Sequence, residues 1–257
     1  MLIHKQAFVD TGAHVERDVE IGPLAVIESG AVIGAGCRIG PHAVVRAHAR
    51  LGPRCRVHPG AVIGDDPQDL AFSGAASRVE IGADCVLREG VTVHRGTKPD
   101  SVTRIGDRCF LMANSHVAHN CTLGDEVILA NNVLLGGYVE VGDRAFLSGN
   151  CVVHQFCRVG RLAMMSGLSG LSKDLPPFCV VKDLTSNRVA ALNIVGMRRA
   201  GFSPEDRTAV KRAFSMLYRE GHSVSQAITA MQPLFPDGPA AELWQFAAAS
   251  QRGICAG

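Results

Sequence analysis

The chain has 257 residues, 47% of them hydrophobic but only 5% aromatic, and 28 glycines. That is enough apolar material for a large domain with or without a small one, packed by small and aliphatic side chains rather than rings. The formal net charge of +2 gives no bulk attraction for nucleic acid or a membrane surface.

The first residues, Met1-Leu2-Ile3-His4-Lys5, lack the long apolar run of a signal peptide. No stretch approaches the ~18 uninterrupted apolar residues of a membrane-spanning helix, so a cytoplasmic protein is expected. From Val9 onward every sixth residue is a large aliphatic, through Val15, Ile21, Ile27 and Ile33 to Leu171, with only Asp69, Ala75 and Pro99 departing. A six-residue period fits neither a heptad nor a 3.6-residue helix, and it predicts a parallel β-helix, each hexapeptide forming one short strand and one corner. Glycine often follows the aliphatic residue at the corner, as at Gly22, Gly40, Gly106 and Gly124. Each inward side chain, stacked between its equivalents, contributes roughly 1.5–3 kcal/mol.

Four residues after each aliphatic comes a small one, such as Ala13, Ala25 or Ala43. Cys37, Cys55, Cys85, Cys109, Cys121, Cys151 and Cys157 occupy the same slot. The nine cysteines are odd in number and contain no Cys-x-x-Cys pair, so they read as small hydrophobes, with no zinc or redox motif.

The frame breaks from Gly64 to Arg78 and again from Gly96 to Thr103, which predicts two loops leaving the prism. Several histidines lie on the predicted strands. His58, His94 and His154 each follow an inward aliphatic and His116 precedes one, so strand alternation places all four on the outer surface. His119 falls near a corner, and His116-Val117-Ala118-His119-Asn120 is the densest local source of proton-transfer chemistry. No acidic partner accompanies the pair, and no metal is expected.

The frame ends near Leu171 and Pro176-Pro177 follows, giving a first domain over 1–181 and a helical second domain over 182–257. Asn187 is expected to cap a helix through Arg199 that stops at Gly201. Ser203-Pro204-Glu205-Asp206 starts another helix with an apolar stripe of Val210, Phe214 and Leu217. Ser223-Val224-Ser225-Gln226 is a capping box, and Pro236-Asp237-Gly238-Pro239 precedes a last helix around Trp244. Such a tail would cover the open end of the coil.

The runs Gln68-Asp69-Leu70, Val93-His94-Arg95-Gly96-Thr97, His116-Val117-Ala118-His119, Ile128-Leu129-Ala130-Asn131-Asn132, Val153-His154-Gln155-Phe156 and Arg198-Arg199-Ala200-Gly201-Phe202 resemble the acyl-[acyl carrier protein]–UDP-N-acetylglucosamine O-acyltransferase family. The resemblance extends over nearly the whole chain. It implies a left-handed prism with three hexapeptides per coil, and a homotrimer with sites at the clefts. It also implies transfer of a 3-hydroxyacyl group from acyl carrier protein to the 3-hydroxyl of UDP-N-acetylglucosamine, opening lipid A biosynthesis. No cofactor is implied beyond the donor's phosphopantetheine thioester.

By resemblance, His119 is the general base and the Gly137 amide the oxyanion donor. Asp69, His94, His116, His154 and Gln155 contact acceptor or donor. Asn193 and Arg199 recognise the nucleotide, and Gly167 gates the acyl length. The chain departs from the family's usual residues at Asn120 (aspartate), Ala71 (lysine), Tyr138 (histidine) and Val195 (glutamate). Asn120 can orient an imidazole but adds no charge beside it. N-acylation of a 3-amino sugar, which needs a weaker base, and a non-catalytic trimeric scaffold are the competing readings. A prism with polar, histidine-bearing outer faces is expected to complete its sites between copies.

Overall fold

The computed structural model describes residues 1–182 and 187–257, and in it the six-residue frame folds as three parallel sheets wound into a prism. The first face starts at strand Leu2–Ile3, the second at Phe8–Val9 and the third at His14–Val15, with 11, 9 and 8 strands respectively among the described residues. After three hexapeptides the chain returns to the face it left, pairing Leu2 with Glu20 and Phe8 with Val26. Residues 18 positions apart therefore stack, as in the pairs Phe110 with Ile128, His116 with Leu134, and Thr122 with Glu140.

From Ile21 on the inward aliphatic column is buried, Ile27, Ile33, Ile63, Leu87, Leu111 and Leu129 among it. All nine cysteines are buried and free. Cys37, Cys55, Cys85 and Cys109 each point their Sγ at a glycine carbonyl on the next coil, at 3.0–3.1 Å. They pack corners, as their slot in the repeat predicts.

The outer faces differ from the polar ones expected. The third face is charged along much of its length, with Arg50, Glu80, Arg104, Glu140 and Arg158 in its outward column and ion pairs such as Arg104–Glu80 at 3.1 Å and Arg158–Glu140 at 3.3 Å, and the first face is charged only in its early coils, at Glu20, Arg38 and Arg56. Outward positions precede each inward aliphatic by one residue, and on the other two faces they are largely apolar. The first face presents Val86, Phe110, Ile128, Phe146 and Met164, and the second presents Val26, Val44, Val62, Leu134 and Val152.

Strand Cys179–Val181 adds to the first face, and Val189–Leu192 then pairs with it antiparallel, Cys179 opposite Leu192. This corrects the helix expected from Asn187. Its Oδ1 accepts from the Ser172 amide at 2.7 Å and its Nδ2 donates to Ser172 Oγ at 3.0 Å, so it ties down a turn instead of capping. Helix α1, Ile194–Arg199, starts only after the exposed edge has been paired, and Asn193 caps it by accepting from the Gly196 amide at 2.8 Å.

Helices α2 (Pro204–Tyr218) and α3 (Val224–Met231) start where expected, α3 with the expected capping box at Ser223 and α2 with a further one at Ser203. Val210, Phe214 and Leu217 are buried, and α4 spans Gly238–Ala248. The tail leans on the last coils through Arg161–Glu242 at 2.6 Å and Ser250 Oγ donating to Asp174 at 2.7 Å. Leu175, Phe178 and Met197 make one continuous core from prism to helices. No described helix is long and apolar enough to cross a membrane.

Candidate active site

The 18-residue stacking builds the site. His116 lies on strand His116–Val117 of the second face, and His119 turns the corner after it. Gly137 and Gln155 occupy the same corner one and two coils on, and Leu134 and Val152 continue the column above His116. Together with His154 they line a groove of about 720 Å³. The imidazole of His119 packs against Gly137, where a Cβ would lie 2.5 Å from Nε2 and closer still to Cε1. Glycine is therefore required by this approach. The Gly137 N–H makes no hydrogen bond among the described residues, while its neighbours Gly136 and Tyr138 donate to Val153 and His119 carbonyls. It is a donor left over beside an imidazole.

His119 is itself buried, and its Nδ1 lies 3.0 Å from Asn120 Oδ1. That oxygen also accepts from the Thr97 amide at 3.0 Å and the Thr97 hydroxyl at 3.1 Å. A backbone N–H can only donate, so the amide of Asn120 points its oxygen, not its nitrogen, at this cluster. An acceptor facing Nδ1 requires the Nδ1–H tautomer in the neutral ring, leaving Nε2 with its lone pair free toward the groove. Asn120 thus does the orienting work expected of it.

A carboxylate lies elsewhere around the ring. Asp69 stands 4.0 Å from His119 Nε2, on the opposite side of the ring from Asn120. It is held by accepting from the Ala71 amide at 2.9 Å, within the excursion that leaves the second face after Asp65. The side chain that anchors that excursion has no signature in the repeat. Buried Arg95 pairs with Asp66 at 2.8 Å, donates to the Ala75 carbonyl at 2.7 Å, and lies over the Phe72 ring. Ser77 Oγ donates to the Gly96 carbonyl at 2.6 Å, joining the two excursions.

This cover also overturns the placement of His94 at the outer surface. It is only 6% exposed, edge-on to His116 with ring centroids 4.8 Å apart, and its Nδ1 is buried without a hydrogen-bond partner among the described residues. Burial lowers the pKa of both rings, that of His116 to about 4, with His94 and His119 adding repulsion there. His116 Nδ1 lies 2.7 Å from Thr92 Oγ1. His154 and Gln155 are exposed at the groove's far side, His154 Nδ1 facing the Gln155 carbonyl at 3.1 Å.

Not every residue singled out by sequence joins this cluster. Asn193 and Arg199 line a second groove, of about 910 Å³, on the first face, with Met164, Val180 and Val195. The amide of Asn193 is engaged at both ends, capping α1 and donating to the Leu162 carbonyl at 2.9 Å. Arg199 is exposed and makes no ion pair among the described residues. Gly167 sits exposed on the corner between first and second faces, where a Cβ would meet nothing nearer than the Gly149 carbonyl at 3.5 Å. Met165 is buried as its frame position requires, and Met164 faces outward on the first face.

Residues 174–255 match the family described as UDP N-acetylglucosamine O-acyltransferase, domain 2, and residues 30–65 and 103–137 match the bacterial transferase hexapeptide repeat. An acyl-[acyl-carrier-protein]–UDP-N-acetylglucosamine O-acyltransferase from Synechocystis is 46% identical over 65% of this chain and 60% of its own. The same-named protein of Rippkaea orientalis is 50% identical over 74% of this chain and 69% of its own. The chain thus matches about three fifths of the first of these relatives. Among solved structures, the UDP-N-acetylglucosamine acyltransferase of Bacteroides fragilis superposes with a TM-score of 0.94 at 36% identity, covering 98% of this chain and 99% of that one. The Francisella novicida enzyme gives 0.96 at 33% identity, covering 100% and 94%. A mirror-image coil would not superpose so closely, so the prism has the left-handed sense of the family. With half of the residues identical over the 191 aligned to one relative, and the whole chain superposing on solved members, the chain belongs to the acyl-[acyl-carrier-protein]–UDP-N-acetylglucosamine O-acyltransferase family.

Proposed function

We propose that this chain transfers a 3-hydroxyacyl group from the thioester of acyl carrier protein to the 3-hydroxyl of UDP-N-acetylglucosamine, in the cytoplasm, as the first step of lipid A biosynthesis. The observation that carries the reading is the closeness of a free imidazole nitrogen, His119 Nε2, to Gly137, whose backbone donor is unsatisfied among the described residues. Nε2 takes the proton as the sugar oxygen attacks the thioester carbon. The carbonyl oxygen, now negative, is held by the Gly137 N–H. The carbon–sulfur bond then breaks, and the imidazolium returns its proton to the departing phosphopantetheine thiolate. Asp69, 4.0 Å from Nε2, supplies the negative charge that Asn120 lacks when the imidazolium forms.

The site is completed between copies of the chain in a threefold trimer. The apolar stretch of the first face from Val86 to Met164 and the largely apolar second face, beside a charged third face, suit a ring in which the second face of one copy meets the first face of the next. That contact would bring Arg199 and Asn193, on one face, toward the groove of His119 on another. His94, His116, His154 and Gln155 would then contact acceptor or donor from the catalytic side.

The test pairs 3-hydroxyacyl carrier proteins with UDP-sugars bearing a 3-hydroxyl or a 3-amino group, with mass by light scattering in the same buffer. Ester formation on UDP-N-acetylglucosamine by a particle three times the 27.2 kDa chain is expected. Amide formation only on the amino sugar would replace the acceptor assigned here. The neutral Asn120 beside His119 is the feature that favours that second outcome. No transfer to either sugar, or a monomer at micromolar concentration, would overturn the reading.

A further inference from the structure

The corner column that carries His119 has a second layer. Asn120 and Tyr138 stack there one coil apart, both with left-handed backbone (φ 61° and 60°). Thr97, from the second excursion, reaches in between them. Its hydroxyl lies 3.1 Å from Asn120 Oδ1 and 3.1 Å from Tyr138 Oη. A threonine hydroxyl has one hydrogen. Asn120 Oδ1, fixed as an acceptor by the Thr97 amide, takes it, so Tyr138 must donate to Thr97. The bonds run in one direction, from the Tyr138 hydroxyl through the Thr97 hydroxyl to Asn120 Oδ1, where the His119 Nδ1–H converges from the other side. The Tyr138 ring is itself fixed, stacked on Phe156 at 4.8 Å and edge-on to His119 at 5.3 Å.

We propose that Thr97 and Tyr138 are positioning residues that lock the Asn120 amide with its oxygen toward His119, and through it hold His119 in the tautomer that leaves Nε2 free to accept a proton. The proposal rests on the acyl-transfer reading for its consequence in turnover, but the lock itself is a property of the unliganded protein. The need for a lock follows from chemistry. An asparagine amide has an accepting and a donating end of nearly equal shape. Turned around, its NH₂ would face Nδ1 and favour the Nε2–H tautomer, which cannot act as a base at the groove. A carboxylate has no wrong end, so a chain with aspartate at this position would not need the lock. The asparagine here makes Thr97 and Tyr138 matter.

The experiment uses the full-length protein labelled with ¹⁵N-histidine, with His119 assigned by comparison with His119→Gln. The wild type is expected to show a protonated Nδ1 and a bare Nε2 at neutral pH. Thr97→Val and Tyr138→Phe should each show mixed tautomers, and each should lower kcat about five- to tenfold with KM for the sugar unchanged. The double variant should fall no further than Thr97→Val, since Tyr138 acts through the Thr97 hydroxyl. In an Asn120→Asp background both substitutions should become nearly silent, below about twofold, a rescue that lost packing would not give. A wild-type Nε2–H tautomer, or an undiminished effect of Thr97→Val in the Asn120→Asp background, would overturn the proposal. The nitrogen shifts are read without substrate, so a protein that acylates neither sugar would end the functional reading while leaving the lock to stand or fall on its own signal.

Discussion

His119 and Gly137 lie 18 residues apart in sequence and in direct contact in space, one on each of two successive coils, with no room between them for even a methyl group. The base and the oxyanion donor proposed for acyl transfer are thereby placed by the winding of the chain itself. Gly137→Ala is expected to keep the backbone N–H and a permitted conformation but to push the imidazole off its seat. Turnover should drop about 10²-fold or more with little change in Tm, since the displaced ring opens toward the groove. Near-normal turnover in Gly137→Ala would mean that the ring does not work from this position.

His119→Ala should lower turnover by about 10²–10⁴-fold while the prism stays folded. His116→Ala should cost less, because His116 Nδ1 faces Thr92 and its place is one of contact. Steady-state rates of the two variants side by side decide the matter, and equal losses would undo the assignment of the base.

The buried histidines make the protein acid-sensitive. His116 has its pKa lowered by burial to about 4 from an ordinary 6.5, and His94 is lowered for the same reason. The folded protein therefore resists taking up protons that the unfolded chain accepts. Above about pH 6.5 both states are neutral and stability is complete, whereas between 6.5 and about 4 stability falls by at most roughly 3 kcal/mol for His116. Thermal unfolding followed from pH 8 to pH 4 should show this loss, and His116→Gln should flatten it. An acid limb of unchanged steepness in that variant would contradict the burial argument.

The acyl tail gives a further expectation. A side chain at Gly167 would project freely from the corner between the two apolar faces, so the wild type should prefer a long 3-hydroxyacyl donor. Each further buried methylene is worth ~0.8 kcal/mol, and Gly167→Met should shift the preference toward donors two carbons shorter by roughly tenfold. Competition between carrier proteins of different chain length measures this directly. A short-chain wild type that lengthens its preference in Met164→Ala would make Met164 the gate.

What the sequence disclosed, and what it hid, divides along physical lines. Inward aliphatics repeat every six residues because each meets its own copy on the next coil, so Ile27 or Leu129 is legible from the chain alone. Ser203 and Ser223 are legible because a capping box is local. Asn187 misled because cap chemistry also serves turns, and only the sheet edge at Cys179–Val181 shows that the chain extends before it coils. The burial of His94 depends on Arg95 holding an excursion in place, a contact no periodicity announces. Thr97 lay hidden for a related reason, since a gap in a repeat reads as spacing, whereas here it delivers a hydroxyl to the residue beside His119. The apolar outer columns were within reach, because Phe110, Ile128 and Phe146 recur every 18 positions.

That spacing limits how the chain can change its length. Removing one hexapeptide between His119 and Gly137 would leave the six-residue pattern intact and the interior just as greasy, yet rotate everything downstream by one face of the prism. The imidazole would then look out on a different corner from the glycine. Only whole turns of the coil, or material that leaves and rejoins at the same point as the excursions before Arg78 and Val102 do, preserve the alignment. The scaffold thus behaves like a combination lock with three positions per turn, indifferent to how many turns it has but intolerant of a single click.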